Sequence, residues 1–473
     1  MMNHRDTEKI ETRLSTERDP VPLWFPLIAI LIVYAALGVL YAVHTPAWQV
    51  PDEPAHYNYI RFIAEQGALP VLEAGDYDQA YLERLTGERF PPELSIEPVN
   101  YEDHQPPLYY LLAAPLFRLF DGALLPLRLF SVALGALLLT IVYRLVRVLF
   151  PHRPTLALIA AGLIALLPQH LAMTAGVNND ALAEVVLAAT LLTALRYLQP
   201  PSSHLHPPTS ILQPLPLGLL VGLALLTKTT AYGALPVALL AVGLRIWRTT
   251  DHGPRTTHHA PRTWQSLLPV PLILGIALLL AGPWLACNVA VYGWSDPLGL
   301  ARHNAVVVGQ PRSAEWLALY GWGGLVVRFV RTTFQSFWGQ FGWMGVPLHP
   351  PVYRALALFS ALLVGGFLGW LFDRRRPRPT RPQADGLLLL AFAALWTAAT
   401  YLGYNLTFVQ HQGRYLFPAL VPLALGAALG LDWLSGWIRP RWGRALALTA
   451  VAAGLVALNL YAIFMAIVPM LAR

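Results

Sequence analysis

The sequence predicts an all-α fold, a polytopic membrane helix bundle of about eleven transmembrane helices with two large outer loops that carry interfacial helices. Hydrophobic residues make up 56% of the 473 residues and charged residues only 12%, about half the charged fraction of an ordinary soluble domain. Apolar runs of about 18 or more residues recur from residue 23 onwards, each long enough to cross a bilayer. The single cysteine, Cys287, excludes an intrachain disulfide framework and a Cys-based metal cluster.

The placement of the basic residues predicts membrane topology and argues against nucleic-acid binding. The formal net charge is +7, and Lys9 and Lys228 are the only lysines among the 33 basic residues. Most arginines fall in short segments between apolar runs, which is the bias expected of cytoplasmic turns between inserted helices. No basic stripe remains that could hold a nucleic-acid backbone. We therefore expect a multi-pass protein of the cell membrane with a cytoplasmic N-terminus.

The apolar runs predict a polar cytoplasmic tail at 1–22 and one transmembrane domain at 23–473. The first span is expected to be an anchor. A cleaved signal is the alternative, but its apolar region would be shorter and would end in a small-residue cleavage site. The eleven predicted spans are 23–43, 124–149, 155–172, 181–198, 212–228, 231–247, 266–287, 354–372, 386–403, 414–436 and 445–466.

Two long segments are predicted to lie on the outer side of the membrane. The first, 44–105, holds twelve acidic side chains and three arginines, a balance typical of a translocated loop. The second, 288–353, holds five tryptophans, which predict an aromatic belt at the membrane boundary or the wall of a cleft for a sugar or lipid chain. The apolar stretch Leu108–Phe120 is too short to span, so a re-entrant or interfacial helix is predicted. Pro- and His-rich stretches at 200–214 and 249–261 are predicted to be flexible cytoplasmic connectors.

The acidic pair Asp52 and Glu53 lies just past the first span and ahead of a predicted helix that ends at Gly67. Asp52 could simply cap that helix, with Glu53 and Pro54 in its first turn. Alternatively, a carboxylate near the membrane surface, with His56 as an orienting partner, can accept the proton of an attacking hydroxyl. The helix N-terminus would lower the pKa of that carboxylate and keep it ionised.

Further polar residues are predicted on the same outer side. Asp103 and His104 could bind a divalent metal, although two ligands in sequence fall short of a site. Asn178, Asn179 and Asp180 stand at a helix start, where capping accounts for one of the three.

Two cations are expected at the outer ends of spans. Lys228 either snorkels to the interface or binds an anion, since basic residues are disfavoured on that side. Arg414 either anchors the interface or holds a phosphate through two parallel hydrogen bonds. Glu184, one turn inside a span after Asp180, could serve the same outer site. Walker, Rossmann and H-E-x-x-H motifs are absent from the sequence, so nucleotide-driven transport and zinc-protease chemistry lack support.

In their order along the chain, these motifs resemble those of the GT-C superfamily. These polytopic glycosyltransferases use polyprenyl-phosphate sugars and include protein O-mannosyltransferases and the lipid A aminoarabinose transferase. The shared features are Asp52–Glu53, Pro106–Tyr110, Asn179–Asp180, Thr227–Lys228 and Arg414–Pro418. The run Phe337–Trp343 is similar to one in uncharacterised bacterial relatives.

The resemblance implies that Asp52 is the catalytic residue and Glu53 its helper. Members similar to the aminoarabinose transferase have a lysine before the two prolines, where it contacts the lipid phosphate, but this chain has the neutral amide of Gln105. Phosphate binding then falls to Arg414 and Lys228, or to His104 if it is protonated. The expected substrate-binding residues are His56, His104, Gln105, Tyr109, Asn179, Asp180, Lys228, Arg414 and Tyr415.

The expected activity is an inverting transfer of a sugar, by a hexosyl- or pentosyltransferase, from a polyprenyl-phosphate donor to an acceptor hydroxyl on the extracytoplasmic face. Asp52 is the expected general base. The expected partners are the lipid-linked donor, the bilayer, and a glycan, lipid or protein acceptor. No cofactor is expected, and a divalent metal at Asp52, Asp103 and His104 is the less favoured alternative.

Two other functions stay open. A transporter or flippase of polyprenyl-linked glycans would show two related halves with interrupted spans, and no convincing internal repeat is found. A glycan polymerase or ligase would also use outer arginines but would not need the carboxylate pair.

Overall fold

The chain forms a bundle of helices, described by a computed structural model over residues 24–199, 212–251 and 267–471. The helices up to the middle of the chain are α1 (Trp24–His44), α2 (Glu53–Gln66), α3 (Gln79–Gly87), α4 (Leu108–Leu119), α5 (Leu124–Leu149), α6 (Pro154–Ala165), α7 (Pro168–Thr174), α8 (Asp180–Leu198), α9 (Leu215–Leu225) and α10 (Ala234–Asp251). A 3₁₀ helix, Thr229–Gly233, joins α9 to α10.

The remaining helices are α11 (Pro269–Tyr292), α12 (Leu300–Val306), α13 (Ser313–Trp338), α14 (Pro350–Phe372), α15 (Arg381–Asn405), α16 (Leu420–Ser435), α17 (Arg441–Tyr461) and α18 (Val468–Leu471). A second 3₁₀ helix, Gly413–Ala419, leads into α16, and a π-helical turn, Ala462–Ile467, joins α17 to α18. Between α13 and α14, strands β1 (Gln340–Phe341) and β2 (Val346–Pro347) pair antiparallel, with Phe341 opposite Val346.

The predicted membrane character is confirmed, but the predicted count of eleven spans is not. Within the described ranges, nine helices are long and apolar enough to cross a bilayer, or ten if a bent pair counts as one span. The predicted span 155–172 is that pair, α6 and α7, which bend by 65° at the break before Pro168. The predicted span 212–228 contains α9, whose 11 residues extend only about 17 Å. The sequence shows that both runs are apolar, whereas the length of each helix depends on where the backbone leaves the helical conformation.

The 13-residue stretch Leu108–Phe120, which is too short to span, contains the 12-residue helix α4. The tail at 1–22 lies outside the described residues, as do most of the two connectors at 200–214 and 249–261.

Small residues allow the helices of the second half to approach closely. Helices α14 and α16 cross at Gly366 and Gly430, where a Cβ on Gly430 would lie 2.3 Å from the Leu363 carbonyl oxygen. No side chain fits at that distance, so glycine permits the backbone contact.

The five tryptophans of the second outer segment do not share one environment. Trp294 and Trp322 are 89% and 72% exposed, as expected of an aromatic belt, whereas Trp338 is buried. Trp338 donates from Nε1 to Ser360 Oγ at 3.1 Å and lines an apolar cavity. Exposed and buried tryptophans thus occur together in this segment, and both interpretations of it stay predictions.

The first of the two loops predicted to be outer meets the bundle at a buried ion pair between α2 and α5. Arg128 of α5 donates to both carboxylate oxygens of Glu53, at 2.8 and 2.7 Å. It also donates to the carbonyl oxygens of Ala42 and Thr45 at the end of α1. These bonds hold α2, and the residue before it, over one end of the bundle.

Candidate active site

Asp52 stands at the N-cap position of α2, but its side chain does not cap the helix. Its backbone is in the left-handed region, with φ 68°, which is uncommon for a residue other than glycine. The carboxylate turns instead to Arg414, with Oδ2 2.7 Å from Nη2, and to Tyr101, whose hydroxyl donates to Oδ1 at 2.8 Å. The capping interpretation therefore accounts for the position of Asp52 but not for the direction of its side chain.

The surroundings of Asp52 keep its carboxylate ionised. Burial raises the pKa of Asp52, but the charge of Arg414 and the hydrogen bonds from Tyr101 and Arg414 outweigh it and lower the pKa to about 2. Burial and the same carboxylate raise the pKa of Tyr101 well above its usual range. The resting site thus pairs an anionic carboxylate with a neutral phenol and a guanidinium.

A second ion pair lies between α8 and the turn after α9. Lys228 Nζ is 2.7 Å from Asp180 Oδ1, and both side chains are largely buried. Asn178 supplies the cap of α8, since its Oδ1 accepts from the backbone N–H of Asp180 at 3.0 Å. Capping therefore explains Asn178 and leaves Asn179 and Asp180 free for other contacts.

A chain of polar side chains runs from α2 to α8. His56 Nδ1 lies 2.9 Å from the Tyr110 hydroxyl, and Asn179 donates from Nδ2 to that hydroxyl at 3.2 Å. Asn179 Nδ2 also lies 3.5 Å from Gln105 Oε1 and from the carbonyl oxygen of Thr227, the residue before Lys228. The two ion pairs thus belong to one polar region.

His56 does not orient Asp52 as the sequence had indicated. Its ring pairs with Tyr110, and burial lowers the pKa of His56, which favours the neutral form. Tyr109 is likewise placed away from the polar region, since its hydroxyl pairs with Ser131 at 2.8 Å. The neighbouring Tyr110, which the sequence did not single out as a contact, takes that place.

Glu53 has a separate set of partners. The side chain is fully buried, and each carboxylate oxygen accepts two hydrogen bonds. Arg128 supplies one bond to each oxygen, and the backbone N–H groups of Val177 and Trp48 supply the others, at 3.1 and 3.0 Å. This arrangement leaves Glu53 no free acceptor for a substrate hydroxyl.

His104 lies against a second histidine. Its ring centroid is 4.4 Å from that of His303, and burial together with His303 lowers the pKa of His104 to about 3. His104 is therefore neutral near neutral pH, which argues against its use as a phosphate-binding cation.

The residues considered for a metal do not assemble into a donor set. In the ranges that the structure describes, no three His, Cys, Asp or Glu side chains come together as potential metal ligands. Asp103 has a buried Oδ1 without a hydrogen-bond partner, and burial with the nearby Asp76 and Glu102 raises the pKa of Asp103 to about 8.

The 3₁₀ helix Gly413–Ala419 positions Arg414 and packs closely against α13. The Gly413 N–H donates to Ser336 Oγ at 2.7 Å, and a Cβ on Gly413 would lie 2.3 Å from the backbone nitrogen of Phe337. The guanidinium lies over the ring of Tyr415, 5.3 Å from its centroid. The close approach that glycine allows sets the direction of Arg414.

An apolar cavity of about 810 Å³ adjoins this 3₁₀ helix. It lies among α6, α13, α14, α15 and α16, and its walls include Phe337, Trp338 and Leu416. Leu416 is two residues from Arg414, so the cavity reaches the segment that carries the cation. Apolar space of this kind beside charged groups suits an amphiphilic ligand.

This arrangement of helices is similar to that of ArnT from Cupriavidus metallidurans bound to undecaprenyl phosphate, with a TM-score of 0.51 and 16% sequence identity. The chain has the GT-C fold. The likeness covers 90% of this chain, which spans 63% of the length of the ArnT chain, and apo ArnT gives the same values. The GT-C resemblance of the motifs is thus confirmed at the level of the fold.

Other comparisons match a shorter part of the chain or have a lower TM-score. Residues 104–285 match the family model of dolichyl-phosphate-mannose-protein mannosyltransferase, a region that includes Asp180 and Lys228 but neither Asp52 nor Arg414. The oligosaccharyltransferase AglB from Archaeoglobus fulgidus, in complex with an inhibitory peptide and a dolichol-phosphate, has a TM-score of 0.48 and 15% identity, over 94% of this chain and 55% of AglB. Among curated proteins, none matches this sequence.

Proposed function

We propose that this protein is a membrane glycosyltransferase that moves a sugar from a polyprenyl-phosphate donor to an acceptor hydroxyl. One observation carries the proposal: the Asp52 carboxylate is held 2.7 Å from Arg414, in a polar region that also contains Lys228. One anionic side chain and two cations match what the transfer needs, a proton acceptor and groups that stabilise a departing phosphate.

Donor binding changes the partner of Arg414. In the resting protein Arg414 is paired with Asp52, and a phosphate presents the same kind of acceptor to a guanidinium. When the donor phosphate binds Arg414, the guanidinium charge no longer lowers the pKa of Asp52. The pKa of Asp52 then rises, and its carboxylate becomes a stronger base. The donor itself thereby activates the carboxylate.

The chemical step is a single displacement. Asp52 takes the proton of the acceptor hydroxyl, whose oxygen bonds to the anomeric carbon from the face opposite the phosphate. The bond between that carbon and the phosphate oxygen breaks, and its electron pair stays on the phosphate. Arg414 and Lys228 stabilise the charge that grows there. The products are the inverted glycoside and the lipid phosphate, with the proton on Asp52.

The apolar cavity beside Leu416 would receive the lipid chain of the donor. Its walls are apolar and include Leu416, which is two residues from Arg414 in the sequence, and we place the phosphate head of the lipid at that side. ArnT, which has a similar fold, was solved with undecaprenyl phosphate, and this supports the same donor class here.

The other residues around the site divide into two groups. Gln105, Asn179 and Tyr110 line the polar region. Asn179 Oδ1 is buried without a hydrogen-bond partner among the described residues. We therefore propose that Asn179 Oδ1 accepts a hydrogen bond from a hydroxyl of the sugar donor or of the acceptor substrate. Glu53 already has four hydrogen bonds, and we assign it a structural role instead of the helper role that the resemblance implied. The site would face the extracytoplasmic side, because the arginine-rich turns lie at the other end of the spans.

The test uses the full-length protein with a panel of polyprenyl-phosphate monosaccharides and measures release of lipid phosphate. Asp52→Asn should lower the rate by about 10²- to 10⁴-fold, the usual contribution of a general base. Asp78→Asn is the matched control in the same outer loop. Asp78 caps α3 through Tyr81 N–H, and asparagine caps as well as aspartate. Equal rates in the Asp52→Asn variant and the wild type would refute the proposal.

A further inference from the structure

Two arginines pair with one carboxylate at the end of the bundle opposite Asp52, and a third arginine lies near one of them. Asp432, near the C-terminus of α16, pairs through one oxygen with Arg153 Nη2 and through the other with Arg444 Nη2. Asp432 is largely buried, whereas both arginine side chains are more than a third exposed. The pairings thus leave two guanidinium groups with faces open to the surroundings.

Arg376 approaches the same place from the end of α14. Its guanidinium carbon lies 3.6 Å from the ring centroid of Trp370. The acid beside it, Asp373, already accepts from Trp433 Nε1 at 3.1 Å and from the backbone N–H of Arg375 at 2.9 Å. Partial burial and the nearby Arg153 lower the pKa of Arg376, and the charge of Asp373 only partly offsets them.

Several nitrogen donors of this cluster have no acceptor among the described residues. Arg376 Nε and Nη1, Arg444 Nε and Trp370 Nε1 are buried atoms without a hydrogen-bond partner. Arginines at helix C-termini are expected from the helix dipole and from the charge bias of membrane proteins. Those effects explain why arginines occur here. They do not explain why buried N–H donors lack acceptors, although an unpaired buried donor costs free energy.

We propose that Arg153, Arg376 and Arg444 form a site for the headgroup of an anionic glycerophospholipid. The three cations exceed the two acids of the cluster, Asp373 and Asp432, by one charge. A phosphodiester offers oxygens that accept the parallel N–H groups of guanidinium. Its single negative charge would balance the cluster and fill the free donors.

The surroundings favour a lipid over a soluble anion. Phe372, Trp437 and Trp442 are 74%, 65% and 73% exposed, and they lie within a few residues of Arg376 and Arg444 in the sequence. Exposed aromatic side chains of this kind mark the boundary between hydrocarbon and headgroups. Basic groups between helices at that depth bind anionic lipid headgroups.

The experiment measures lipids retained on the detergent-solubilised full-length protein by native mass spectrometry. The probes are dioleoyl-phosphatidylglycerol and, as the neutral comparison, dioleoyl-phosphatidylcholine. Arg376→Gln leaves the Asp432 pairs intact, and Arg375→Gln removes one exposed charge from the same turn as the matched control. We expect Arg376→Gln to weaken phosphatidylglycerol retention by about tenfold and Arg375→Gln to leave it unchanged.

Other results would overturn the proposal. Equal loss in both variants would mean that overall charge attracts the lipid, and unchanged retention in Arg376→Gln would mean that the cluster does not bind it. Displacement of phosphatidylglycerol by an equal concentration of inorganic phosphate would assign the cluster to a soluble anion. Retention of phosphatidylcholine equal to that of phosphatidylglycerol in the wild type would exclude headgroup selection.

Discussion

The Asp52 carboxylate and the Arg414 guanidinium are 362 positions apart in the chain and form an ion pair with 2.7 Å between Oδ2 and Nη2. Asp52 precedes α2 in the first outer loop, and Arg414 is the second residue of the 3₁₀ helix before α16. A phosphate that binds Arg414 must compete with Asp52 for it. Anion binding and the basicity of the carboxylate are therefore coupled at this contact.

Arg414→Gln should move the acid limb of the pH profile to higher pH. Arg414 lowers the pKa of Asp52, so its removal lets burial raise that pKa above about 2. The carboxylate must be deprotonated to act as a base, and activity is then lost at a higher pH as the solution is acidified. The measurement is kcat/KM against pH. Arg61→Gln, on the exposed side of α2, is the control, and superimposable acid limbs for both variants would contradict the coupling.

Lys228→Met should raise the KM for the donor and lower kcat, by roughly 10²-fold in kcat/KM, as for the loss of one oxyanion-stabilising group. The variant removes a cation and also leaves Asp180, its partner at 2.7 Å, unpaired and repulsive to phosphate. The double variant Lys228→Met with Asp180→Asn should therefore recover part of the donor affinity. No recovery, measured as donor KM, would separate Asp180 from the phosphate site.

Glu53→Gln should destabilise the protein by about 3–5 kcal/mol, because it leaves the buried Arg128 without a counter-charge. Glu97→Gln is the control, since its pair with Arg61 is exposed and such pairs contribute about 1 kcal/mol or less. Denaturant unfolding in mixed micelles measures both. A Glu53→Gln variant with normal stability and a large loss of turnover would favour the helper role over the structural one.

Gly413→Ala should destabilise the protein by about 1–3 kcal/mol, the usual cost of overpacking, and should displace Arg414. The added Cβ would lie 2.3 Å from Phe337 N and 2.4 Å from the Thr333 carbonyl oxygen, and backbone atoms cannot move aside cheaply. Gly403→Ala in α15 is the control, because a Cβ there meets no described atom within 4 Å. Unfolding and lipid-phosphate release are measured together, and equal behaviour of the two variants would contradict this account.

Much of the candidate site could be anticipated from residue types and topology. Asp52, Lys228 and Arg414 are charged groups at the predicted ends of spans, where a charged side chain is costly unless it has a partner or a function. Their partners could not be anticipated: Tyr101 and Tyr110 carry no signal that separates them from Tyr109. Which of two adjacent tyrosines faces the polar region depends on the rotation of α4, and its apolar sequence does not specify that rotation.

The sequence by itself determined that the chain crosses a membrane as helices, because lipid leaves the backbone of a long apolar run no other way to satisfy its hydrogen bonds. Only the tertiary structure decided where the spans break and which acid faces which arginine. Asp52 and Glu53 are neighbours, yet the left-handed backbone at Asp52 directs one carboxylate to Arg414 and the other to Arg128. That separation depends on contacts between distant helices, which adjacent residue types do not encode.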